Sequence, residues 1–135
     1  PQMAVLPCFL WSGVNSLEEL IPQKEMISGL HAGFAETSLM LSIYPELVGI
    51  ERPADGDHIS SDSFATPPEG WTMEGHAPCA WLTSDISKTG VIGDSSFSSS
   101  DVGNLIENRL VSHWETLFTS LMNSSWPPVS DKKNM

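Results

Sequence analysis

A histidine, a glycine and a carboxylate stand at the mouth of an almost wholly apolar run, Leu30-His31-Ala32-Gly33-Phe34-Ala35-Glu36-Thr37-Ser38-Leu39-Met40-Leu41. No other stretch constrains the fold as much. After Gly33 the pattern predicts a helix ending at Tyr44, because the residue before Pro45 is pushed out of the α region. Phe34, Leu39, Met40, Leu41 and Ile43 spread around the cylinder, so the helix is expected to be apolar on most faces and buried. Glu36 falls in its first turn, where the helix dipole favours a negative charge, and His31 on the loop just before it. Two readings stay open. In one, Glu36 is a capping carboxylate and His31 a loop histidine bonded to backbone. In the other, both side chains serve one cavity, since a buried carboxylate needs a partner and a metal, an arginine or a substrate would supply it.

At 135 residues the chain makes one domain at most. Seventeen acidic residues against six basic ones give a net charge of −11. That field repels phosphate backbones and no Lys/Arg cluster opposes it, so nucleic acid is excluded as a partner. The surplus acid reads as a solvated surface. No apolar run is long enough to span a bilayer and no basic–apolar signal segment occurs, so a cytoplasmic protein without membrane contact is expected. The first residue is Pro1, not methionine, and the chain is expected to be incomplete. Cys8 and Cys79 are far apart without CxxC spacing and fit two free thiols.

Along the chain, Met3 to Trp11 is an apolar run of strand length, expected as a buried strand of a parallel sheet with Pro7 as a blemish. Trp11 would stand at the carboxyl end of that strand, where open α/β sheets bind ligands; a core tryptophan is the alternative. Ser16 with Glu19 makes a capping-box pattern, cut short by Pro22. A polar stretch then runs through Gly29. Pro45 to Gly49 makes a turn, the residues from there to about Pro78 hold little periodicity, and loops this long are functional or disordered. Asp55, Asp57 and His58 within it faintly suggest a cation loop but lack the ligand ladder of an EF-hand. His76 and Cys79 have no partners at zinc-site spacing and read as ordinary loop residues.

Gly90-Val91-Ile92-Gly93-Asp94 reads as a short strand and turn after Trp81-Leu82-Thr83. Ser98, Ser99 and Ser100 with Asp101 offer N-caps. Val102, Leu105, Ile106, Leu110, Trp114, Leu117, Phe118 and Leu121 then recur at three- and four-residue steps, an amphipathic helix expected to pack on a sheet face. His113 beside that stripe reads as structural. Residues 124–135 read as a flexible tail.

The run His31-Ala32-Gly33-Phe34-Ala35-Glu36-Thr37-Ser38-Leu39-Met40-Leu41, followed by Tyr44-Pro45-Glu46-Leu47-Val48, resembles the HAG-x-x-ETS-x-ML…P-x-x-V signature of the creatininase family. Gly90 to Asp94 is similar to that family's GV-x-GDP block, with Ser95 in place of the usual proline. These blocks run from about residue 28 to 122, and Pro1 to Trp11 is similar to the preceding strand. The resemblance implies an α/β fold, a three-layer α/β/α sandwich on a mostly parallel sheet, of which this chain is a partial domain. Residues 1–123 would be the C-terminal part of that domain. It implies an amidohydrolase that cleaves a cyclic or linear amide C–N bond through a metal-activated water, with a pair of divalent ions (zinc, manganese or iron), often in a homo-oligomer.

Carried over, the resemblance makes His31 the catalytic residue that moves a proton or touches substrate. Glu36 meets the metal centre as a ligand or by orienting one, and Trp11 is placed loosely on the substrate side. No residue is assigned to any other cofactor. The family's E-x-H-G-x-H and NGH segments, which carry most metal ligands, do not occur here. A water-activating metal needs several fixed ligands and an open position, so the isolated chain is expected to be inactive. Its partners would be the missing N-terminal half of the domain and a small amide substrate. The alternatives are a non-catalytic remnant or interaction module lacking the metal site, and a cation-binding protein resting on the acidic loop alone.

Overall fold

The computed structural model describes residues 5–56, 67–73 and 77–126. A 3-10 turn at Leu17–Glu19 leads to α1 (Gln23–Ser28) and α2 (Phe34–Ile43), and a second 3-10 turn follows at Pro45–Leu47. Then come β1 (Ala54–Asp55), the one-turn α3 (Thr83–Ile86), β2 (Gly93–Asp94) and the long α4 (Ser100–Met122). Among the described residues β1 and β2 form one small antiparallel sheet, Ala54 opposite Asp94 and Asp55 opposite Gly93. Helix and strand are mixed as an α/β reading requires, but no layered parallel sheet is present in this part of the chain. None of its helices is long and apolar enough to cross a membrane.

The frame is a pair of helices. Ser99 caps α4, its hydroxyl accepting the Val102 N–H at 3.3 Å, as the serine cluster predicted. Gly103, one turn on, meets α2 at Ser38, and both residues are buried. Small residues at that crossing let the two backbones approach. Around it the Ser98 hydroxyl donates to Phe34 O at 3.1 Å, and the Ser99 N–H donates to the Ser38 hydroxyl at 3.2 Å. These bonds satisfy polar groups that the contact removes from water. Beside them Ile106 and Leu110 of α4 close on Phe34, Leu17 and Ile21 to form the core, with Trp11, Val14 and Leu39 packed at its edge.

Four expectations change. Val5 to Leu10 form no strand and lie exposed, and a turn takes over at Leu10. A strand needs a partner for its backbone groups, and among the described residues none lies alongside; Met3 and the other residues before Val5 lie outside them. The Ser16–Glu19 capping box is absent. Ser16 is left-handed (φ 62°), which denies its hydroxyl the cap geometry, and Glu19 instead pairs with Arg109 at 2.8 Å. The polar stretch after Pro22 forms helix α1.

Helix α2 starts and stops where Gly33 and Pro45 indicated, yet it buries one face only. Phe34 and Ser38 face α4, while Met40 and Ile43 remain exposed because nothing described covers them. The α4 stripe packs on α2 and the 11–21 segment rather than on a sheet, and past Leu110 its Leu117 and Phe118 are half exposed. His113 packs edge-on against Trp114, in keeping with a structural role. Residues 124–126 are exposed, and 127–135 fall outside the described residues. Cys8 and Cys79 are free thiols, as expected.

Candidate active site

The His31-Ala32-Gly33 turn is held on several sides at once. His31 forms an isolated antiparallel bridge with Ile92, donating its N–H at 3.2 Å and accepting the Ile92 N–H at 2.8 Å. Ala32 sits in left-handed space (φ 50°), a conformation that costs an L-residue roughly 1–2 kcal/mol. Two side chains from the first turn of α2 lock it there. Glu36 Oε2 accepts the Ala32 N–H in a short bond, and the Thr37 hydroxyl donates to Ala32 O at 3.0 Å. Backbone strain held by its surroundings in this way is a common mark of a functional turn.

Beneath the turn lies a carboxylate that the sequence did not single out. Glu25, on α1, is buried. Its Oε2 accepts the Phe34 N–H at 2.8 Å and its Oε1 the Asp94 N–H at 2.7 Å. The first N–H of α2 is one that no helical carbonyl reaches, and the positive end of the helix dipole offsets the buried charge. Gly29, Gly33 and Gly93 surround this carboxylate, and a Cβ at any of them would press on Glu25 Oε2. A lone glutamate in a polar stretch carries no periodic signal. Its meaning appears only when the chain brings residues 34 and 94 to it.

On the far side of the small sheet, Asp55 fastens the loop before β2. Its Oδ2 accepts from the Lys88 and Thr89 N–H groups at 2.9 and 3.0 Å and from the Ser87 and Thr89 hydroxyls at 3.0 Å each, while Oδ1 takes the Gly56 N–H at 2.7 Å. The Gly56 N–H first, then the Thr89 N–H and the two hydroxyls, hold its carboxyl well below the usual carboxylate range, against a smaller opposing effect of desolvation. Among the described residues Asp55 thus serves as a loop fastener. Asp57, His58, Asp62 and His76 lie outside the described residues.

The sign of the pH effect follows from that lowered pKa. Asp55's contribution is fully present above the unfolded carboxylate value of about 4 and drains away as pH falls toward the folded one. The urea midpoint is expected to fall between about pH 5 and pH 2. Asp55→Asn should lower it at neutral pH and flatten that acid limb, which a pH series of urea titrations checks.

Two cavities open beside the turn. One of about 520 Å³ is mostly apolar, walled by Trp11, Met40, Val48 and Val91, with Glu36, Thr37 and Arg52 as polar members. The other, about 260 Å³, is lined by Trp11, Met26, Gly33, Glu25 and Glu36. Trp11 and Glu36, picked out from sequence, thus meet on the walls of both. Trp11 does so from a turn and half-buried, not from a strand end. His31 lines neither, is exposed, and its imidazole makes no hydrogen bond among the described residues. Ser95 donates both its N–H (3.2 Å) and its hydroxyl (2.7 Å) to Pro53 O, two bonds that a proline in its place would lack.

Against a metal, the donor set is short. No three His, Cys, Asp or Glu side chains cluster among the described residues. Both Glu25 oxygens and one Glu36 oxygen already accept backbone N–H groups. His31 and Glu36 alone do not make a divalent-metal site.

A family model described as creatininase, creatinine amidohydrolase, matches residues 2–118. The chain belongs to the creatininase family. That match takes in Trp11 and Glu25 as well as the His31–Leu41 signature and the Gly93-Asp94 strand, so membership runs over nearly the whole chain. No curated protein and no solved structure matches it.

Proposed function

We propose that this chain is the C-terminal portion of an amidohydrolase that cleaves a cyclic or linear amide C–N bond. The observation that carries the reading is the cleft where Trp11 and Glu36 meet beside the strained His31-Ala32-Gly33 turn, in a chain of this family. Trp11 and its apolar neighbours would hold a small flat amide out of water. His31, whose imidazole makes no hydrogen bond among the described residues, stands beside the cleft rather than on its wall and would exchange a proton with the departing nitrogen. A divalent pair of zinc, manganese or iron belongs to this reading only with donors from outside the described residues. Val5, Leu6, Phe9 and Leu10, exposed together, support a remainder of the domain packing there, and a homo-oligomer is part of the proposal.

The test compares this chain with one extended through the upstream coding sequence. Metal content and hydrolysis of creatinine and a linear N-methyl amide are measured for both. The extended protein is expected to hold metal and open an amide, and the short chain to do neither. An extended protein that holds metal and leaves both amides intact would overturn the activity. A second reading has one observation in its favour: Glu36 already works as a capping carboxylate on Ala32. In that reading the chain is a non-catalytic remnant or interaction module, and His31→Ala would change nothing measurable in the full-length protein.

A further inference from the structure

We propose that Glu25 is a positioning residue of this site, tying the N-terminus of α2 to β2 and so holding the His31-Ala32-Gly33 turn and Glu36 at the cleft. Its role in catalysis rests on the amidohydrolase reading; its role in setting the turn does not.

Two connections join the same pair of segments. His31 and Ile92 exchange both backbone bonds, and two residues beyond Ile92 the Asp94 N–H goes to Glu25 Oε1. Three residues beyond His31, the Phe34 N–H goes to Glu25 Oε2. The carboxylate is thus a second rung beside the His31–Ile92 bridge, and the left-handed Ala32 lies between the two. Sliding or splaying either segment would break both. The first turn of α2 carries Glu36, so its place on the cleft wall depends on the same rung.

The position demands a carboxylate. Each oxygen faces an N–H donor, so the amide of a glutamine puts its NH₂ against one of those donors whichever way it is turned. An aspartate is one methylene too short to span both. Gly29, Gly33 and Gly93 leave the space around this group free of side chains. Glu25 has no Lys, Arg or His partner among the described residues, and its charge rests on the two charge-assisted bonds and the dipole of α2.

The experiment compares Glu25→Gln with Leu110→Ala, a core variant that removes none of these hydrogen bonds, at a temperature where both are folded. In ¹H–¹⁵N spectra of the chain, the Ala32 and Ile92 amide signals are followed, since these N–H groups bond to Glu36 and to His31 O. Glu25→Gln is expected to move both signals well away from their wild-type positions, and Leu110→Ala to leave them in place. In the upstream-extended protein with creatinine as the probe, Glu25→Gln should lower kcat about tenfold or more with KM nearly unchanged. A purely structural residue would lower the melting temperature and leave kcat alone.

Signals that stay put in folded Glu25→Gln would overturn the proposal. If wild-type protein does not turn over creatinine, the amidohydrolase reading fails for that substrate and the spectra still decide the role of Glu25. Should Glu25→Gln not fold, Glu25→Asp keeps the charge and one bond and takes its place in both measurements. Displaced Ala32 and Ile92 signals in that variant support the positioning role, and unmoved ones overturn it.

Discussion

Replacing Gly103 by alanine is expected to destabilise the chain by about 3 kcal/mol, the upper range for forcing extra atoms into a packed interior. A Cβ there would overlap the Ser38 carbonyl oxygen, lie 2.6 Å from its carbon and 2.9 Å from Ser42 Cβ. The obstacle is backbone on a helix that cannot rotate aside. Relief requires α2 and α4 to separate, which would open the bonds from Ser98 to Phe34 O and from Ser99 to the Ser38 hydroxyl, and let water reach Ile106. Helix propensity alone argues the other way, since alanine is favoured over glycine by up to about 1 kcal/mol. Thermal unfolding followed by helical circular dichroism should show a fall of about 10 °C. Gly49→Ala, whose Cβ would meet only an ordinary contact, should stay within about 0.5 kcal/mol.

That contrast between propensity and packing marks the border of what the sequence reveals. Local rules found α2 between Gly33 and Pro45, the Ser99 cap and the period of α4, because each depends on residues a few positions apart. Gly103 carries no such local signal; only Ser38, far away in the chain, shows why it is glycine. The same rules read Met3 to Trp11 as a strand because an apolar run looks alike whether or not a neighbour pairs with it. At the site, Glu36 falls in the first turn of α2 as its spacing indicated, whereas Trp11 reaches the cleft from a turn and not from the strand end that singled it out. Glu25 was not legible, since its two hydrogen-bond donors come from residues 34 and 94 and leave no trace beside it. His31 is where the signature puts it, though the structure turns it to solvent and uses its backbone for the bridge.

The surface shows the same border from the other side. Leu117 and Phe118 of α4 stay exposed although their spacing is that of a buried stripe. Hydrophobic periodicity reports which residues prefer burial, not what covers them. Large apolar patches on a protein of this size ordinarily meet another surface, which a remainder of the proposed domain would supply.

The glycines around Glu25 should give the second large effect, and they separate space from conformation. Gly33→Ala is expected to cost about 2 kcal/mol and Gly93→Ala about 3 kcal/mol in urea unfolding. Gly33 has an ordinary φ of −77°, so its whole cost is the overlap with Glu25 Oε2. That oxygen ends a flexible side chain, but its bonds to Phe34 and Asp94 hold it in place. Gly93 adds a second cost, because at φ 139° an L-residue is strained whatever the space. Glu25→Ala on its own should cost about 3 kcal/mol, since it leaves two backbone N–H groups unpaired at roughly 1–3 kcal/mol each. In the Glu25→Ala background the two glycine effects should part. Gly33→Ala should become nearly neutral, a coupling of about 2 kcal/mol, while Gly93→Ala should still cost about 1 kcal/mol from its backbone alone. If Gly33→Ala costs as much without the carboxylate as with it, Glu25 does not fill that space and the cradle has another reason.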